Sequence, residues 1–165
     1  MNWRGESGMG MIGAYMRISA EELTGLLQEP DRFEQLLEDE ERQTDIDKSW
    51  HGLYFLLTGA TDLDEIDRHS LGKAVFGGDV IDKETGIAYL TPGEVEDLST
   101  RLQYIELDAL EARYDVTTMN EQELYPFERE WGLEEKQYLF DQFDELKRVF
   151  AQAAREREAL ITWIG

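Results

Sequence analysis

The residues best suited to chemistry lie in one short segment, which runs from Asp45 to His51. Within it, Asp47 offers a carboxylate, Lys48 a cation and Trp50 a flat aromatic surface, and together they would hold a polar ligand. The same segment has a structural explanation, since a carboxylate at Asp45 or Asp47 would cap the N-terminus of the following helix and interact favourably with its dipole. Both explanations remain open at the level of the sequence.

Aromatic residues elsewhere in the chain would complete a cleft around this segment. Tyr125, Pro126 and Trp131 lie in a predicted turn that would form an opposing wall, and Tyr54 follows Trp50 by one helical turn. Packing against the core explains the same turn equally well, and one buried hydrogen bond explains Tyr54. The predicted ligand or partner cleft comprises Asp47, Lys48, Trp50, Tyr54, Tyr125 and Trp131.

Other residue patterns that carry chemistry are incomplete in this chain. The sequence has no cysteine, which excludes a thiolate nucleophile and a cysteine-based zinc or iron–sulfur site. His51 and His69 lack the i, i+4 spacing that would put two imidazoles on one helix face. The acidic run 62–67 resembles a calcium loop, but Ile66 occupies a ligand position and Arg68 replaces the required glycine. We therefore predict no catalytic residues, no metal site and no cofactor.

The charge of the chain restricts its partners. There are 37 acidic and 16 basic residues, a formal net charge of −21 at pH 7, and each of the ranges 1–50, 51–100 and 101–165 carries −7. Such a surface repels nucleic-acid phosphates and anionic lipid headgroups, so we expect neither nucleic acid nor membrane as a partner. It would attract a basic protein and speed association with it. An evenly acidic surface also serves solubility alone.

The pattern of apolar residues predicts the strands that must position these side chains. Alternation over 11–18 predicts a first strand whose even-numbered residues are buried. Two short strands are predicted within 79–90, around a turn, and a last strand over 159–164 is predicted to pair with the first. The polar run 39–44 is predicted to be a loop.

Helix signals are equally distinct. Ser19 with Glu22 and Thr91 with Glu94 both match the capping box, in which two side chains satisfy main-chain N–H groups reciprocally. The helix predicted over 46–58 is apolar on nearly every side, so it should be central and buried. Further helices are predicted near 19–29, 31–37, 70–75, 92–105, 107–114, 117–124 and 134–157.

Strands at both ends and in the middle of the chain, with helices between them, predict a single α+β domain. We expect a small, mostly antiparallel sheet of three or four strands, packed with several helices mostly on one face. Residues 1–8 are predicted to be a flexible extension and residues 9–165 the domain. No apolar run approaches the roughly 20 residues that span a bilayer, and we expect a cytoplasmic protein. Its high charge favours a monomer.

Several sequence segments together resemble the YfbM-like family of small bacterial proteins. The resemblance covers about residues 9–164 and implies a single α+β domain, but it implies no activity. One departure concerns Tyr54, which stands where the family's Leu-His-Phe stretch has histidine, while His51 lies one turn earlier. Tyrosine ionises near pH 10 and cannot replace a histidine base at neutral pH, which argues against catalysis. The matching segments are Met9–Gly13, Asp45–Trp50, Leu53–Gly59, Ala74–Gly78, Tyr89–Pro92 and Tyr125–Pro126.

Two functional hypotheses follow. The first is a non-catalytic binding or interaction module for a basic partner, of which a toxin-neutralising immunity protein is one form. The alternative is a small-ligand binder or hydrolase with a cleft near Asp47, Lys48 and Trp50. A concave pocket in which these side chains converge would favour the alternative.

Overall fold

The computed structural model describes residues 10–126 and 130–165, so the extension predicted over residues 1–8 lies outside the described residues. The described chain forms one five-stranded sheet in the order β2-β1-β5-β4-β3, and every neighbouring pair is antiparallel. The first and last strands lie side by side at its centre, as predicted. The strands are β1 (Gly13–Ile18), β2 (Gln43–Asp45), β3 (Asp79–Asp82), β4 (Ile87–Leu90) and β5 (Ala159–Ile164).

Eight helices surround this sheet within the described ranges. The α+β class is therefore confirmed, and the longest helix, α8, packs along α5 on one face of the sheet. Both predicted capping boxes are present, one at the start of α1 and one at the start of α5. The helices are α1 (Ala20–Gln28), α2 (Phe33–Leu36), α3 (Trp50–Thr58), α4 (Lys73–Phe76), α5 (Pro92–Gln103), α6 (Leu107–Arg113), α7 (Val116–Glu121) and α8 (Leu133–Arg155).

The prediction of three or four strands is wrong because of β2. Gln43 and Thr44, predicted to lie in a loop, pair with Met16 and Tyr15, and β2 forms an edge of the sheet. A three-residue edge strand is held by main-chain hydrogen bonds and has one partner strand. It therefore carries no alternation of apolar residues that a sequence pattern would reveal.

The sheet is covered on both faces, which also corrects the prediction for β1. Tyr15 was predicted to face solvent but is 1% exposed, and it packs with Leu160 of β5 in the main core beside α3, α5 and α8. Met16 and Ile161 point to the opposite face, which α1 and α2 cover. A strand buried on both sides needs apolar residues at consecutive positions, and β1 has them.

A 3-10 turn, Asp47–Ser49, leads into α3 and places the predicted site segment against α8. The helix α3 is buried from Trp50 to Leu57, as predicted for a helix that is apolar on nearly every side. Gly59 ends it with φ of 78°, a left-handed conformation that glycine adopts without steric cost. Within residues 10–126 and 130–165, no helix is long and apolar enough to cross a membrane.

Candidate functional site

Trp50 lies at the centre of a buried aromatic cluster. It is 0% exposed, and its indole stacks on the Tyr125 ring at 4.9 Å and on the His51 ring at 5.6 Å. The indole Nε1 donates a hydrogen bond to the main-chain oxygen of Met11 at 2.9 Å, and the Tyr125 hydroxyl accepts one from the Met11 N–H. These contacts join the segment before β1, α3 and the 125–126 turn, so Trp50 supports the core rather than presenting a surface to solvent.

His51 bonds to two loops, one through each of its ring nitrogens. Its Nδ1 accepts a hydrogen bond from the Tyr125 N–H at 2.8 Å, and its Nε2 lies 2.9 Å from the Thr61 carbonyl oxygen. A main-chain N–H only donates and a carbonyl only accepts, so the imidazole is the neutral tautomer that carries its proton on Nε2. Burial lowers the pKa of His51, which favours this neutral form.

The remaining predicted aromatic residues are also buried. Tyr54 is 0% exposed, and its hydroxyl accepts a hydrogen bond from the Asp67 N–H at 2.8 Å. Trp131 is 5% exposed and donates from Nε1 to the Leu124 carbonyl oxygen at 3.2 Å. Both side chains satisfy their polar atoms on the main chain, as is usual for buried tyrosine and tryptophan.

Asp47 and Lys48 lie closer to the surface and contact α8. The Asp47 carboxylate accepts a hydrogen bond from the Tyr138 hydroxyl at 2.7 Å, and that hydroxyl accepts one from the Lys48 N–H at 3.0 Å. Asp47 adopts a left-handed backbone conformation with φ of 52°, and its N–H donates to the carboxylate of Asp45 at 2.9 Å. In the described part of the chain neither carboxylate caps α3, so the capping explanation is wrong.

A small cleft of about 80 Å³ lies at this contact. Of the six predicted residues, Asp47, Lys48 and Trp131 line it, whereas Trp50, Tyr54 and Tyr125 are in the core. Its other lining residues are Pro126, Glu135 and Tyr138. The last two come from α8, and no local sequence signal links that helix to the segment 45–51. Pockets that enclose organic ligands are larger, roughly 300 to 1,000 Å³.

A second cleft, of about 260 Å³, lies between α4, the β3–β4 hairpin and β5. Arg68 and Lys83 line it together with the hydroxyl-bearing Thr162 and several apolar side chains. The sequence-based interpretation used Arg68 only as the residue that interrupts a calcium-loop pattern. The scarcity of basic residues could have pointed to this cleft, because residues 51–100 contain three of them, Arg68, Lys73 and Lys83.

Comparison with known proteins places the chain in a family. A family model described as a domain of unknown function, DUF1877, matches residues 9–163. The chain belongs to the DUF1877 family. Protein YfbM of Escherichia coli (strain K12) is 30% identical to it over 128 residues, which span 72% of this chain and 74% of YfbM. The resemblance to YfbM-like proteins is thereby confirmed.

The fold of the DUF1877 family is also represented among solved structures. The crystal structure of YfbM from Escherichia coli, described as a protein of unknown function, matches with a TM-score of 0.77 and 23% sequence identity. The match covers 93% of this chain and 99% of YfbM. At this identity the likeness shows the fold alone. In the described parts of this DUF1877 chain, no three His, Asp or Glu side chains converge as metal ligands would.

Proposed function

We propose that the chain is a non-catalytic binding protein whose acidic surface docks a basic protein. The observation that supports this proposal is a concentration of charge in residues 19–45, here named the acidic cap. The acidic cap contains ten acidic and two basic residues, whereas the rest of the first fifty residues contains two acidic and three basic ones. This segment folds over one face and one edge of the sheet, so its negative charge lies on that side of the molecule.

Both arginines of the acidic cap are already paired. Arg32 contacts Glu29 at 3.0 Å, and Arg42 contacts Glu22 at 2.7 Å and Asp39 at 2.8 Å. Seven other carboxylates are exposed, and within the described residues none of them forms an ion pair; they are Glu21, Asp31, Glu34, Glu38, Glu40, Glu41 and Asp45. A partner with matching cations would relieve their mutual repulsion.

The acidic cap also offers apolar contact area. Leu27 of α1 is 44% exposed. A depression of about 350 Å³ also lies on the cap, lined by Gln35 and Leu36 together with Glu22, Arg32 and Arg42. Interfaces combine an apolar anchor with complementary charge, and the charge mainly sets association rate and partner choice. A toxin-neutralising immunity role for a basic partner would fit these properties.

An affinity experiment with two charge-matched variants tests the proposal. The variant E34Q/E38Q/E41Q neutralises the acidic cap, and E96Q/E106Q/D108N neutralises three exposed carboxylates on α5 and at α6. Both raise the net charge by the same three units. Basic proteins captured from a lysate should be retained by wild type and the control variant, released by the cap variant, and lost between about 0.05 M and about 0.3 M salt. Equal capture by the two variants would refute the proposal.

The alternative function, a small-ligand binder or hydrolase that uses the cleft near Asp47, Lys48 and Trp50, has weaker support. Trp50 is buried against Tyr125 and His51, and the cleft beside Asp47 and Lys48 encloses only about 80 Å³. A ligand there would contact two carboxylates, those of Asp47 and Glu135, and one ammonium group, in a space too small for most organic ligands. The acidic cap is therefore the better supported binding surface.

A further inference from the structure

We infer that the cleft around Arg68 binds a small organic monoanion, a carboxylate with an apolar body. This site is separate from the acidic cap and has the opposite charge. It lies between α4, the β3–β4 hairpin and β5, and encloses about 260 Å³. The polar lining side chains are Arg68, Lys83 and Thr162.

The distribution of cations is the first observation behind this inference. Of the three basic residues in the range 51–100, Lys73 pairs with Glu94 at 3.1 Å. The other two, Arg68 and Lys83, both line this cleft, and neither forms an ion pair with any described residue. No aspartate or glutamate is among the described residues of its lining. In a chain with 37 acidic residues, two unpaired cations therefore share one acid-free cleft.

The environment of the Arg68 guanidinium is the second observation. One Nη1 hydrogen bond goes to the carbonyl oxygen of Phe76 at the end of α4. Partial burial lowers the pKa of Arg68, and no carboxylate opposes that effect, although the guanidinium remains charged. Burying a cation without a counter-ion is unfavourable, and an anion bound in the cleft would offset this cost.

The chemistry of the lining selects the kind of anion. A guanidinium presents its N–H donors in a planar fork that matches the two oxygens of a carboxylate, and Thr162 adds a hydroxyl. Val75, Val80 and Ile164 line the same cleft and would contact an apolar body. The volume lies just below the roughly 300 to 1,000 Å³ of common ligand pockets, so the ligand is small.

The charge of the whole protein favours a monoanion over a phosphate ester. A net charge of −21 repels any approaching anion, and the repulsion grows with each negative charge that the anion carries. A carboxylate with an apolar body carries one charge and gains free energy by burying apolar surface. A phosphate ester with the same apolar body carries a charge of about −1.5 to −2 and meets a stronger repulsion.

Titration with benzoate and hexanoate, followed by nuclear magnetic resonance of the Ile164 methyl groups in the cleft lining, tests the inference. Wild type should show a saturable shift. Arg68→Gln should weaken binding at least about tenfold, because it removes the charged fork. Arg113→Gln is the matched control, since Arg113 also donates from Nη1 to a main-chain carbonyl, that of Leu56 at 2.9 Å, but lies outside the cleft lining. It should bind within about twofold of wild type.

A second variant decides the matter if Arg68→Gln fails to fold. Val80 is 36% exposed, so Val80→Asp should fold, and its carboxylate in the wall should abolish the benzoate shift. Inorganic phosphate serves as the competing probe and should bind more weakly than benzoate. The inference is overturned if neither carboxylate gives a saturable shift, if Arg68→Gln and Val80→Asp bind like wild type, or if phosphate binds more tightly than both carboxylates.

Discussion

The core around Trp50 and the cleft around Arg68 differ in how their polar groups are satisfied. In the first region, the indole of Trp50, both ring nitrogens of His51 and the hydroxyl of Tyr54 each bond to main-chain atoms inside the protein. In the second region, the described residues give Arg68 a main-chain acceptor but no carboxylate. The polar groups of the first region are satisfied within it, whereas in the second no residue of the described chain pairs with Arg68 as a counter-ion.

This difference separates residues that stabilise from residues that bind. Tryptophan, histidine and tyrosine attract attention in a sequence because they do so much chemistry, yet here their polar atoms connect α3 to its neighbouring loops. The second site is instead lined by Arg68 and Lys83, which lie outside the helices and strands. Substitutions in the first region should therefore change the free energy of unfolding, and substitutions in the second should change ligand affinity.

The largest loss should follow from Trp50→Ala. The side chain is 0% exposed and stacks on two rings, so its truncation leaves a large cavity and should cost about 3 to 5 kcal/mol of unfolding free energy. Urea unfolding measures this loss. Trp50→Phe should lose less, because it retains a ring while removing the 2.9 Å bond to Met11. A loss below about 1 kcal/mol for the alanine variant would mean that Trp50 does not organise the core.

The second largest effect should come from His51→Leu, which removes both hydrogen bonds of the imidazole. At neutral pH we expect a loss of about 2 to 3 kcal/mol, because the Tyr125 N–H is left buried without its acceptor. Burial lowers the pKa of folded His51 below its ordinary value of 6.5, so the unfolded state binds the proton more readily. The stability that neutral His51 contributes is complete above about pH 6.5 and is lost as the pH falls through the lowered pKa.

Urea unfolding at about pH 7.5 and about pH 5.5 checks this pH dependence. The difference in unfolding free energy between wild type and His51→Leu should be smaller at the lower pH. Leu107→Ala is the control, because this side chain is 50% exposed and not ionisable, and its difference from wild type should stay constant. If the His51→Leu difference is the same at both pH values, the neutral imidazole is not what holds the turn.

The hydroxyl of Tyr138 should have an intermediate effect. Tyr138→Phe removes its hydrogen bonds with the Asp47 carboxylate and the Lys48 N–H, and should cost about 1 kcal/mol. Tyr104→Phe, at a residue that is 82% exposed, should change nothing measurable. Thermal unfolding of both variants provides the measurement. If Tyr138→Phe melts at the same temperature as wild type, the contact between α8 and the segment 47–48 does not contribute to stability.

Local features of the fold could be predicted from the sequence because they depend on neighbouring residues. Ser19 with Glu22 and Thr91 with Glu94 form capping boxes within four residues, and Gly59 ends α3 through its own backbone conformation. The strand β2 was missed because its pairing depends on β1, which lies far away in sequence. The same limit applies to both clefts, since sheet register and helix packing bring their lining residues together.

Two of the six predicted site residues could have been rejected from the sequence itself. A helix over 46–58 that is apolar on nearly every side must be buried, and burial of that helix places Trp50 and Tyr54 in the core. The observed helix begins at Trp50, so Asp47 and Lys48 precede it, and they do reach a cleft. The cleft around Arg68 depends on Thr162 of β5, and no spacing rule connects these two positions.

Among the four test substitutions, Arg68→Gln should have the smallest effect on stability. In this respect the cleft around Arg68 should differ most from the core around Trp50. Loss of the hydrogen bond to Phe76 destabilises the folded state, whereas removal of a partly buried cation relieves an uncompensated charge. These effects oppose each other, so unfolding free energy without ligand should stay within about 0.5 kcal/mol of wild type. With benzoate at about 100 times its dissociation constant, wild type and Arg113→Gln should gain about 2.7 kcal/mol, and Arg68→Gln far less. A loss above about 2 kcal/mol without ligand would instead make Arg68 part of the stabilising core.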